Sequence, residues 1–215
     1  KQAQETGIEL TGLQTYIEKR GIRKSLEGIR ESGKKASEIN SNMLQFSRKS
    51  ESKMAPVNIV ETVEKVLNLA HNEYNLKKQI DFRDIDTIKE FEPNLPKVRC
   101  TETEIEQVIL NLLNNATWAM SSEKGQKSPQ ITLRINSNLE MIRIEVEDNG
   151  PGMTEEVRKR IFEPFFTTKP VGVGTGLGLS VSYMIITNNH QGSLEVESEP
   201  GAGARFIIGL PINPD

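Results

Sequence analysis

Two neighbouring segments, "QITLRINS" (130–137) and "MIRIEVED" (141–148), alternate apolar and polar residues along their length. Successive side chains of a strand point to opposite faces, so this alternation predicts two strands with one covered face and one exposed face. Asn138 lies in the short connection between them, which predicts a hairpin turn. A chain with such a hairpin needs another layer to cover its apolar face.

The rest of the second half supplies that layer. Thr101 followed by Glu104 predicts a capping box that opens a long helix. "PNLPKV" predicts an extended connection ending at Cys100. Further predicted elements are helices over 58–76 and from about 177, and strands over 80–85, 193–198 and 205–211. The order helix, hairpin, loop, helix, hairpin predicts an α+β two-layer sandwich, with helices on one face of a mixed sheet.

The first 52 residues have a different character, since they are highly charged and contain no proline. A heptad-like seam of 4-3-4-3-4-3 spacing runs through Ile22, Leu26, Ile29, Gly33, Ala36, Asn40 and Met43. It fits a helix packed on the core of its own domain, or a free-standing hairpin paired with this chain or a second copy. Three glycines before the seam leave 1–21 as helix or loop. We predict a helical segment over 1–55 and a second domain over 56–215, with Pro56 ending the first.

Composition excludes several classes of protein. The chain has 27 basic and 30 acidic residues, which argues against a nucleic-acid surface. The single cysteine, Cys100, rules out an internal disulfide and fits a reducing compartment. No apolar run is long enough to span a bilayer, and the start shows neither a signal peptide nor an initiator methionine. We therefore expect a cytoplasmic fragment of a longer protein, whose membrane anchoring stays open.

The stretch "EDNGPGM" (147–153) is an unusual way to leave a strand. It puts a carboxylate, Asp148, at the rim of the sheet beside glycines that let the backbone approach a ligand closely. Such a carboxylate can accept a hydrogen bond from an exocyclic amine, as in adenine. An ordinary turn containing an acid is the plain alternative.

The long helix carries a row of amides, because Gln107, Asn111 and Asn115 are spaced four apart and share one face. Their apolar neighbours belong to the core, and an amide at the edge of an apolar face costs about 1–3 kcal/mol if it lacks a partner. Mg²⁺ accepts amide oxygens and bridges to phosphates. The alternative is that the asparagines are solvated.

A glycine-rich stretch, "KPVGVGTGLGLS" (169–180), precedes the last predicted helix. Glycines before a helix N-terminus form an anion site, although a flexible linker has a similar composition. Neither the Gly-Lys-Ser/Thr of a P-loop nor the strand of a Rossmann motif stands beside them, so those two interpretations fail.

Taken together, four segments resemble a known family. "NLLNNA", "DNGPGM", "FEPFFTTK" and "GTGLGLS" occur in this order and resemble the N, G1, F and G2 boxes of sensor histidine kinases. The resemblance covers about residues 58–211. It implies the Bergerat fold, which those kinases share with gyrase, MutL and the large heat-shock chaperone, and it implies ATP or ADP with Mg²⁺ as the ligands.

The resemblance also implies roles for individual residues. Asp148 would hold the adenine amine, with Gly150 and Gly152 beside the base. Asn111 would be the main Mg²⁺ ligand, with Gln107 near the metal waters, and Asn115 would contact phosphate and ribose. Lys169 could reach the γ-phosphate or be a solvated charge. The lid positions implied to cradle the nucleotide are Gly174, Thr175, Gly176, Leu177 and Gly178.

Other residues in these segments have structural interpretations. Phe162, Pro164, Phe165 and Phe166 of the F-like box are expected to anchor a lid, with the last two packing a hinge. His190 is expected to be structural, and His71 to lie on a helix surface. In "GAGARF", Ala204 stands where the family usually has threonine, so the wall of the base pocket lacks a hydroxyl.

Residues 22–50 resemble the second helix of the dimerisation and phosphotransfer hairpin of these kinases. The histidine motif of the first helix does not occur in the sequence, because the two histidines, His71 and His190, fall in the second domain. We prefer truncation over natural loss of the acceptor. This chain is therefore expected to bind Mg·ATP without phosphorylating itself, and its parent to dimerise through the hairpin.

For the intact protein, the resemblance implies transfer of the γ-phosphoryl group to a histidine and then to an aspartate of a response regulator receiver domain. One alternative is an ATP-driven clamp like MutL or gyrase, which uses a catalytic acid where Gln107 stands here. A second is a nucleotide-regulated signalling module without phosphotransfer.

Overall fold

The fold is described from a computed structural model, over residues 10–30, 32–33, 37, 54–72, 82–121, 128–170 and 173–212. The chain divides into two compact units, Lys1–Ser47 and Arg48–Asp215. Across the described ranges, none of the helices combines the length and the apolar character needed to cross a membrane.

The first unit begins with helix α1, Leu10–Lys19. Gly21 follows with a φ of +62°, a usual conformation just after a helix end. Residues 22–30 are helical again. Along the predicted seam, Ile22 is half-buried, whereas Leu26 and Ile29 are exposed. Ala36, Asn40 and Met43 lie outside the described residues, so the seam is described only in part.

The described strands of the second unit are β1 Ala55–Val57, β2 Asp86–Phe91, β3 Val98–Cys100, β4 Gln130–Ser137, β5 Met141–Asp148, β6 Ser193–Ser198 and β7 Ala204–Pro211. Five of them form a mixed sheet with the order β2-β4-β5-β7-β6. β2 runs parallel to β4, and the other neighbours are antiparallel. β1 and β3 form a separate antiparallel pair. The α+β sandwich with a mixed sheet is thus confirmed.

In the described part of the second unit, four helices accompany the sheet. They are α2 Ile59–Asn72, α3 Glu102–Ser121, the short α4 Glu155–Arg158 and α5 Gly178–Met184, which continues as a π-helix over Ile185–Asn189. α3 buries eight side chains along one face, and these join the inward residues of β4 and β5 in one core. Deep burial of this face fixes α3 against the sheet.

The outer face of the sheet carries charges instead of helices. Arg134 of β4 pairs with Glu90 of β2 at 2.7 Å and also with Glu147 of β5, while Arg205 of β7 pairs with Glu197 of β6. The row crosses all five strands and keeps this face compatible with water, as the alternation in β4 and β5 predicted.

The strand predicted over 80–85 is wrong over 82–85, and residues 80 and 81 lie outside the described residues. Phe82–Asp84 forms a 3₁₀ turn whose Phe82 is buried, with its ring 5.0 Å from that of His71. The strand begins only at Asp86, where pairing with Gln130 of β4 starts. The partner strand decides where β2 begins, and local pattern does not contain that information. The extended segment before Cys100 likewise ends as strand β3, paired with β1.

The start of α3 departs from the predicted capping box in one bond. The backbone N–H of Thr101, which such a box directs to Glu104, donates to Nε2 of the buried His190 at 3.0 Å. The other ring nitrogen, Nδ1, lies 2.9 Å from the carbonyl oxygen of Ile185. A carbonyl oxygen only accepts, so Nδ1 carries the ring proton and a neutral His190 joins the π-helix to α3. The structural interpretation of His190 agrees with these contacts.

The turn between β6 and β7 provides a test of this packing. Gly203 has a φ of +79°, and a Cβ there would lie 1.9 Å from the backbone oxygen of Asp148. Gly203→Ala must therefore separate β5 from β7, and we expect a loss of more than about 3 kcal/mol in the free energy of unfolding, measured by urea denaturation.

Gly201 is the matched control, because its φ is +81° and a Cβ added to it would have nothing within 4 Å. Gly201→Ala should cost only the left-handed backbone strain, about 1–2 kcal/mol. Equal losses for the two variants would show that the contact with Asp148 does not constrain the turn.

Candidate nucleotide-binding site

One edge of α3 contacts both of the other predicted site segments, 147–153 and 169–180. Asn111, Asn115 and Ala119 recur every four residues and so lie along one face, spanning roughly 12 Å. Gln107 lies one turn before Asn111 and is half-buried. The row of amides predicted from the spacing therefore lies along the boundary between the core and the loops.

The amide of Asn111 faces the start of α5. Its Nδ2 donates to Oγ of Ser182 at 2.9 Å. Its Oδ1 would lie 2.4 Å from a Cβ on Gly178, so the side chain fits only because that residue is glycine. This places the glycine-rich segment directly against the first amide of the row.

The amide of Asn115 contacts the ammonium group of Lys169. Nζ of Lys169 donates to Oδ1 of Asn115 at 2.8 Å and lies 5.0 Å from the ring centroid of Trp118. Gly174 packs beside this lysine, since a Cβ there would be 3.1 Å from Cβ of Lys169. Lys169 therefore has side-chain partners on α3 in the structure.

Asp148 lies at the end of β5 on the same face as Ile144 and Val146, which is the face that α3 covers. It is 5% exposed, and its Oδ1 accepts from the backbone N–H of Gly150 at 2.9 Å. Burial raises the pKa of Asp148 to about 6, although the backbone N–H groups of Gly150 and Ala204 oppose that rise. A buried carboxylate with a raised pKa is typical of a binding or catalytic site.

Gly150 connects Asp148 to α3. A Cβ on Gly150 would meet Cγ of Met120 at 3.3 Å and Cβ of Ala119 at 3.6 Å. The loop after β5 thus reaches the last turns of α3, whereas Asn111 lies two turns earlier. The carboxylate and the first amide therefore mark the two ends of the candidate site along α3.

Gly152 faces away from α3, toward the turn between β6 and β7. Its φ is +68°, and a Cβ there would lie 2.0 Å from the backbone oxygen of Glu199. Ser198 joins the same two loops, since its Oγ accepts from the N–H of Met153 at 2.9 Å and donates to the carbonyl of Gly203 at 2.6 Å. Gly152 thus shapes the loop that holds Asp148.

Asn149 fixes the other side of that loop. Its Oδ1 accepts from the N–H of Gln130 at 2.9 Å, and its Nδ2 donates to the carbonyl of Ser128 at 3.0 Å. Sequence patterns do not single out Asn149 or Ser198, because a polar residue in a loop shows no pattern that reveals its backbone partners. The same is true of Ser182, which stands in an apolar helix.

The segment before α5 is held by backbone contacts. Phe165 has a φ of +67°, and its N–H donates to the carbonyl of Gly176 at 2.9 Å. Gly176 has no room for a Cβ, which would lie 2.4 Å from the carbonyl carbon of Phe165. Thr175 Oγ1 accepts from the N–H of Leu177 at 3.3 Å, and the Leu177 side chain is buried in the core.

The expectation that Phe165 packs a hinge is wrong, because its side chain is 61% exposed. The left-handed backbone at this position turns the ring outward. Phe162 and Phe166 do pack against the core, and Phe162 lies 5.1 Å from Tyr183 between ring centroids.

The types of side chain at the candidate site indicate which metal cation it suits. Among the residues that the structure describes, no group of three or more His, Cys, Asp or Glu side chains could hold a metal ion. A cation between Asn111 and a phosphate chain would take amide, phosphate and water oxygens, which is a usual arrangement for Mg²⁺. The residues present therefore fit Mg²⁺ delivered with a nucleotide.

Comparison with known proteins agrees with this geometry. Residues 100–214 match the family of histidine kinase-, DNA gyrase B-, and HSP90-like ATPases. The signal transduction histidine-protein kinase AtoS of Escherichia coli is 40% identical over 172 residues, covering 80% of this chain and 26% of AtoS. Sporulation kinase E of Bacillus subtilis is 38% identical over 148 residues, covering 68% of this chain and 18% of that kinase. The chain thus spans about a quarter of these relatives or less.

Solved structures give the same result. The catalytic domain of the histidine kinase ThkA superposes with a TM-score of 0.62 and 31% identity, covering 75% of this chain and 99% of that domain. ThkA in complex with the response regulator protein TrrA gives a TM-score of 0.70 and 25% identity, covering 95% of this chain and 57% of ThkA. The chain therefore belongs to the histidine kinase-, DNA gyrase B-, and HSP90-like ATPase family and contains the catalytic domain of a two-component histidine kinase.

Proposed function

We propose that the second unit binds Mg·ATP along α3 and, in the parent protein, supplies the γ-phosphoryl group to a histidine for relay to a response regulator. The observation that carries this proposal is the contact of two distant segments with one face of α3, the stretch 169–180 through Lys169 and Gly178 and the loop after β5 through Gly150. The relatives named above are histidine kinases, and one of them was solved with a response regulator.

Asp148 recognises the base in this proposal. Its buried carboxylate accepts a hydrogen bond from the exocyclic amine of adenine, and the glycines at 150 and 152 let the base approach the backbone. The Cβ of Ala204, paired with Asp148 across β5 and β7, contributes a wall without a hydroxyl. The base would therefore be read mainly by the carboxylate.

The amides and the glycine-rich segment hold the phosphates. Asn111 would ligate Mg²⁺ through Oδ1, Gln107 would contact its waters, and Asn115 would face the phosphate and ribose. Lys169 would neutralise charge on the γ-phosphate. The backbone from Gly174 to Gly178, including Thr175, Gly176 and Leu177, would donate N–H groups from the lid. Bound Mg²⁺ supplies charge neutralisation and orientation of the phosphates.

In this scheme the domain catalyses phosphoryl transfer by positioning the nucleotide, and another part of the parent protein supplies the nucleophile. His190 is buried, with both ring nitrogens engaged, and His71 lies on α2 against Phe82. The phosphoryl acceptor would be a histidine of the parent's hairpin, and the aspartate of a receiver domain would take the group afterwards.

We also propose that the parent is a homodimer and that this domain acts in the cytoplasm.

Hydrolysis by activated water is the less favoured alternative. At the position where the clamp ATPases use a catalytic acid, this chain has Gln107, and an amide does not act as a general base.

Titration calorimetry with Mg·ADP tests the proposal directly. Absence of both binding heat and a thermal shift would exclude it, and substantial steady-state hydrolysis would favour the clamp ATPases instead.

Replacing the base-reading carboxylate tests the adenine end. We expect Asp148→Asn to weaken Mg·ADP binding by about 1–3 kcal/mol, because the amide turns one acceptor into a donor facing the adenine amine. Glu147→Gln is the control, since Glu147 precedes it on the outer face of the sheet. Calorimetry at pH 7.5 should show the loss only in the first variant; equal affinities would contradict the role of Asp148.

The same substitution should stabilise the ligand-free protein. Because the pKa of Asp148 is raised to about 6 by burial, its contribution to stability is complete below its unfolded pKa and is lost as the pH rises through about 6. At pH 8, Asp148→Asn should therefore raise the free energy of unfolding by about 1–3 kcal/mol, measured by urea denaturation.

At pH 4 this gain should vanish, since the carboxyl of Asp148 is then protonated in the folded protein. Asp84→Asn serves as the control, because Asp84 is an exposed carboxylate on the 3₁₀ turn. A gain for Asp148→Asn that is the same at both pH values would show that buried charge is not its cause.

Lys169 tests the phosphate end. We expect Lys169→Met to weaken binding of a non-hydrolysable ATP analogue roughly tenfold, because a charged hydrogen bond to phosphate is lost. ADP, which has no γ-phosphate, should lose much less. Lys159→Met is the control, since Lys159 pairs with Glu155 on α4. If both nucleotides lose affinity equally, Lys169 does not distinguish the γ-phosphate.

A further inference from the structure

A buried serine on α5 sets the orientation of an amide on α3. Oγ of Ser182 accepts the hydrogen bond from Nδ2 of Asn111 at 2.9 Å, and Ser182 is only 2% exposed. The bond joins two helices that are 71 residues apart in sequence. No ligand role follows for Ser182 itself, since its side chain is enclosed between the helices.

The other end of the same amide meets the preceding turn of α5. Gly178 is four residues before Ser182, and a Cβ on it would lie 2.4 Å from Oδ1 of Asn111. The amide therefore presents its nitrogen to Ser182 and its oxygen to the backbone at the start of α5. This is where the glycine-rich segment enters the helix.

The direction of this amide matters because its two ends differ chemically. The oxygen of an asparagine can ligate a cation, whereas the NH₂ group can only donate hydrogen bonds. The two ends are nearly equal in size, so packing alone discriminates weakly between the two orientations. A hydrogen-bond partner that prefers one end is needed.

Ser182 meets the nitrogen end in the structure, where its Oγ accepts from Nδ2 of Asn111. Ser180 Oγ donates to the carbonyl of Leu177 at 2.9 Å, and Thr187 Oγ1 donates to that of Tyr183 at 2.8 Å, in the same helical run. A helical serine that does the same has only lone pairs left for a neighbour, and these accept from NH₂ and repel a carbonyl oxygen.

We infer that Ser182 is a positioning residue, which keeps Oδ1 of Asn111 turned toward the cation of the bound nucleotide. The inference rests on the proposed function, because it deepens the role given there to Asn111. It also explains why a polar side chain is buried at this point of an otherwise apolar helix–helix contact.

The test separates magnesium-dependent from magnesium-independent binding. ADP affinity is measured by calorimetry with MgCl₂ and again with EDTA, for the unchanged chain and for Ser182→Ala. We expect the variant to lose roughly tenfold in affinity with magnesium, the usual effect of removing a group that orients a metal ligand, and little with EDTA. Equal losses under both conditions would overturn the inference.

Ser180→Ala is the matched control. Ser180 is also buried, lies on α5 and bonds a carbonyl of its own helix, so its removal costs a similar hydrogen bond without touching Asn111. It should retain the full magnesium dependence of ADP affinity. If Ser182→Ala behaves like Ser180→Ala, the inference is wrong. Ser182→Cys, a weaker acceptor of similar size, replaces Ser182→Ala should that variant fail to fold.

A double-mutant cycle shows whether Ser182 acts through Asn111. In an Asn111→Ala background, Ser182→Ala should cause no further loss of magnesium-dependent affinity. A loss that persists there would assign Ser182 a different role. The side-chain amide resonances of Asn111 give a readout without any ligand, and we expect them to shift in Ser182→Ala and to stay in place in Ser180→Ala.

These outcomes are distinct from failure of the proposed function. If the unchanged chain binds no Mg·ADP, the proposed function itself fails, and the inference fails with it. If the unchanged chain binds and Ser182→Ala keeps its magnesium dependence, the nucleotide site stands and only the role of Ser182 is refuted.

Discussion

Burial of one face of α3 is the interaction that positions the sheet, the loops and the candidate site. Ile105, Ile109 and Leu112 are almost completely inaccessible, and they fix the helix against the sheet in both rotation and register. Since 3.6 residues make a turn, fixing the apolar face also fixes the row of amides at its edge. The amides are therefore fixed together with the core, and the groups that meet them come from α5 and from the loop that carries Lys169.

The site also contains a buried carboxylate, which does not help the protein to fold. A buried carboxylate such as Asp148 opposes folding whenever it is ionised, as its raised pKa shows. The surrounding loops hold it in place through the backbone N–H of Gly150 and the close packing of Gly203, whose carbonyl accepts from the Ser198 hydroxyl. A residue that lowers the stability of the fold but suits ligand binding is expected at a functional site.

The segment before α5 differs in how it is held. Phe165 has a left-handed backbone, a conformation that costs about 1–2 kcal/mol for a residue with a Cβ, and its ring stays exposed. Its N–H donates to the carbonyl of Gly176, and the close fit of that glycine keeps the two strands of chain together. The phosphate end of the site is thus formed by loop backbone and the start of α5, whereas the adenine end is built into the sheet.

Local patterns in the chain were enough to predict the sandwich, the hairpin of β4 and β5, the row of Asn111 and Asn115, and the carboxylate at the end of β5. Each follows from a period of 2 or 3.6 residues, and periodicity is a local property. Tertiary contacts were needed to establish where β2 begins, that His190 takes the N–H of Thr101, that Phe165 points outward and that Ser182 meets Asn111. These features depend on partners that are far apart in the chain, and a local pattern cannot specify which distant atom a polar group will meet.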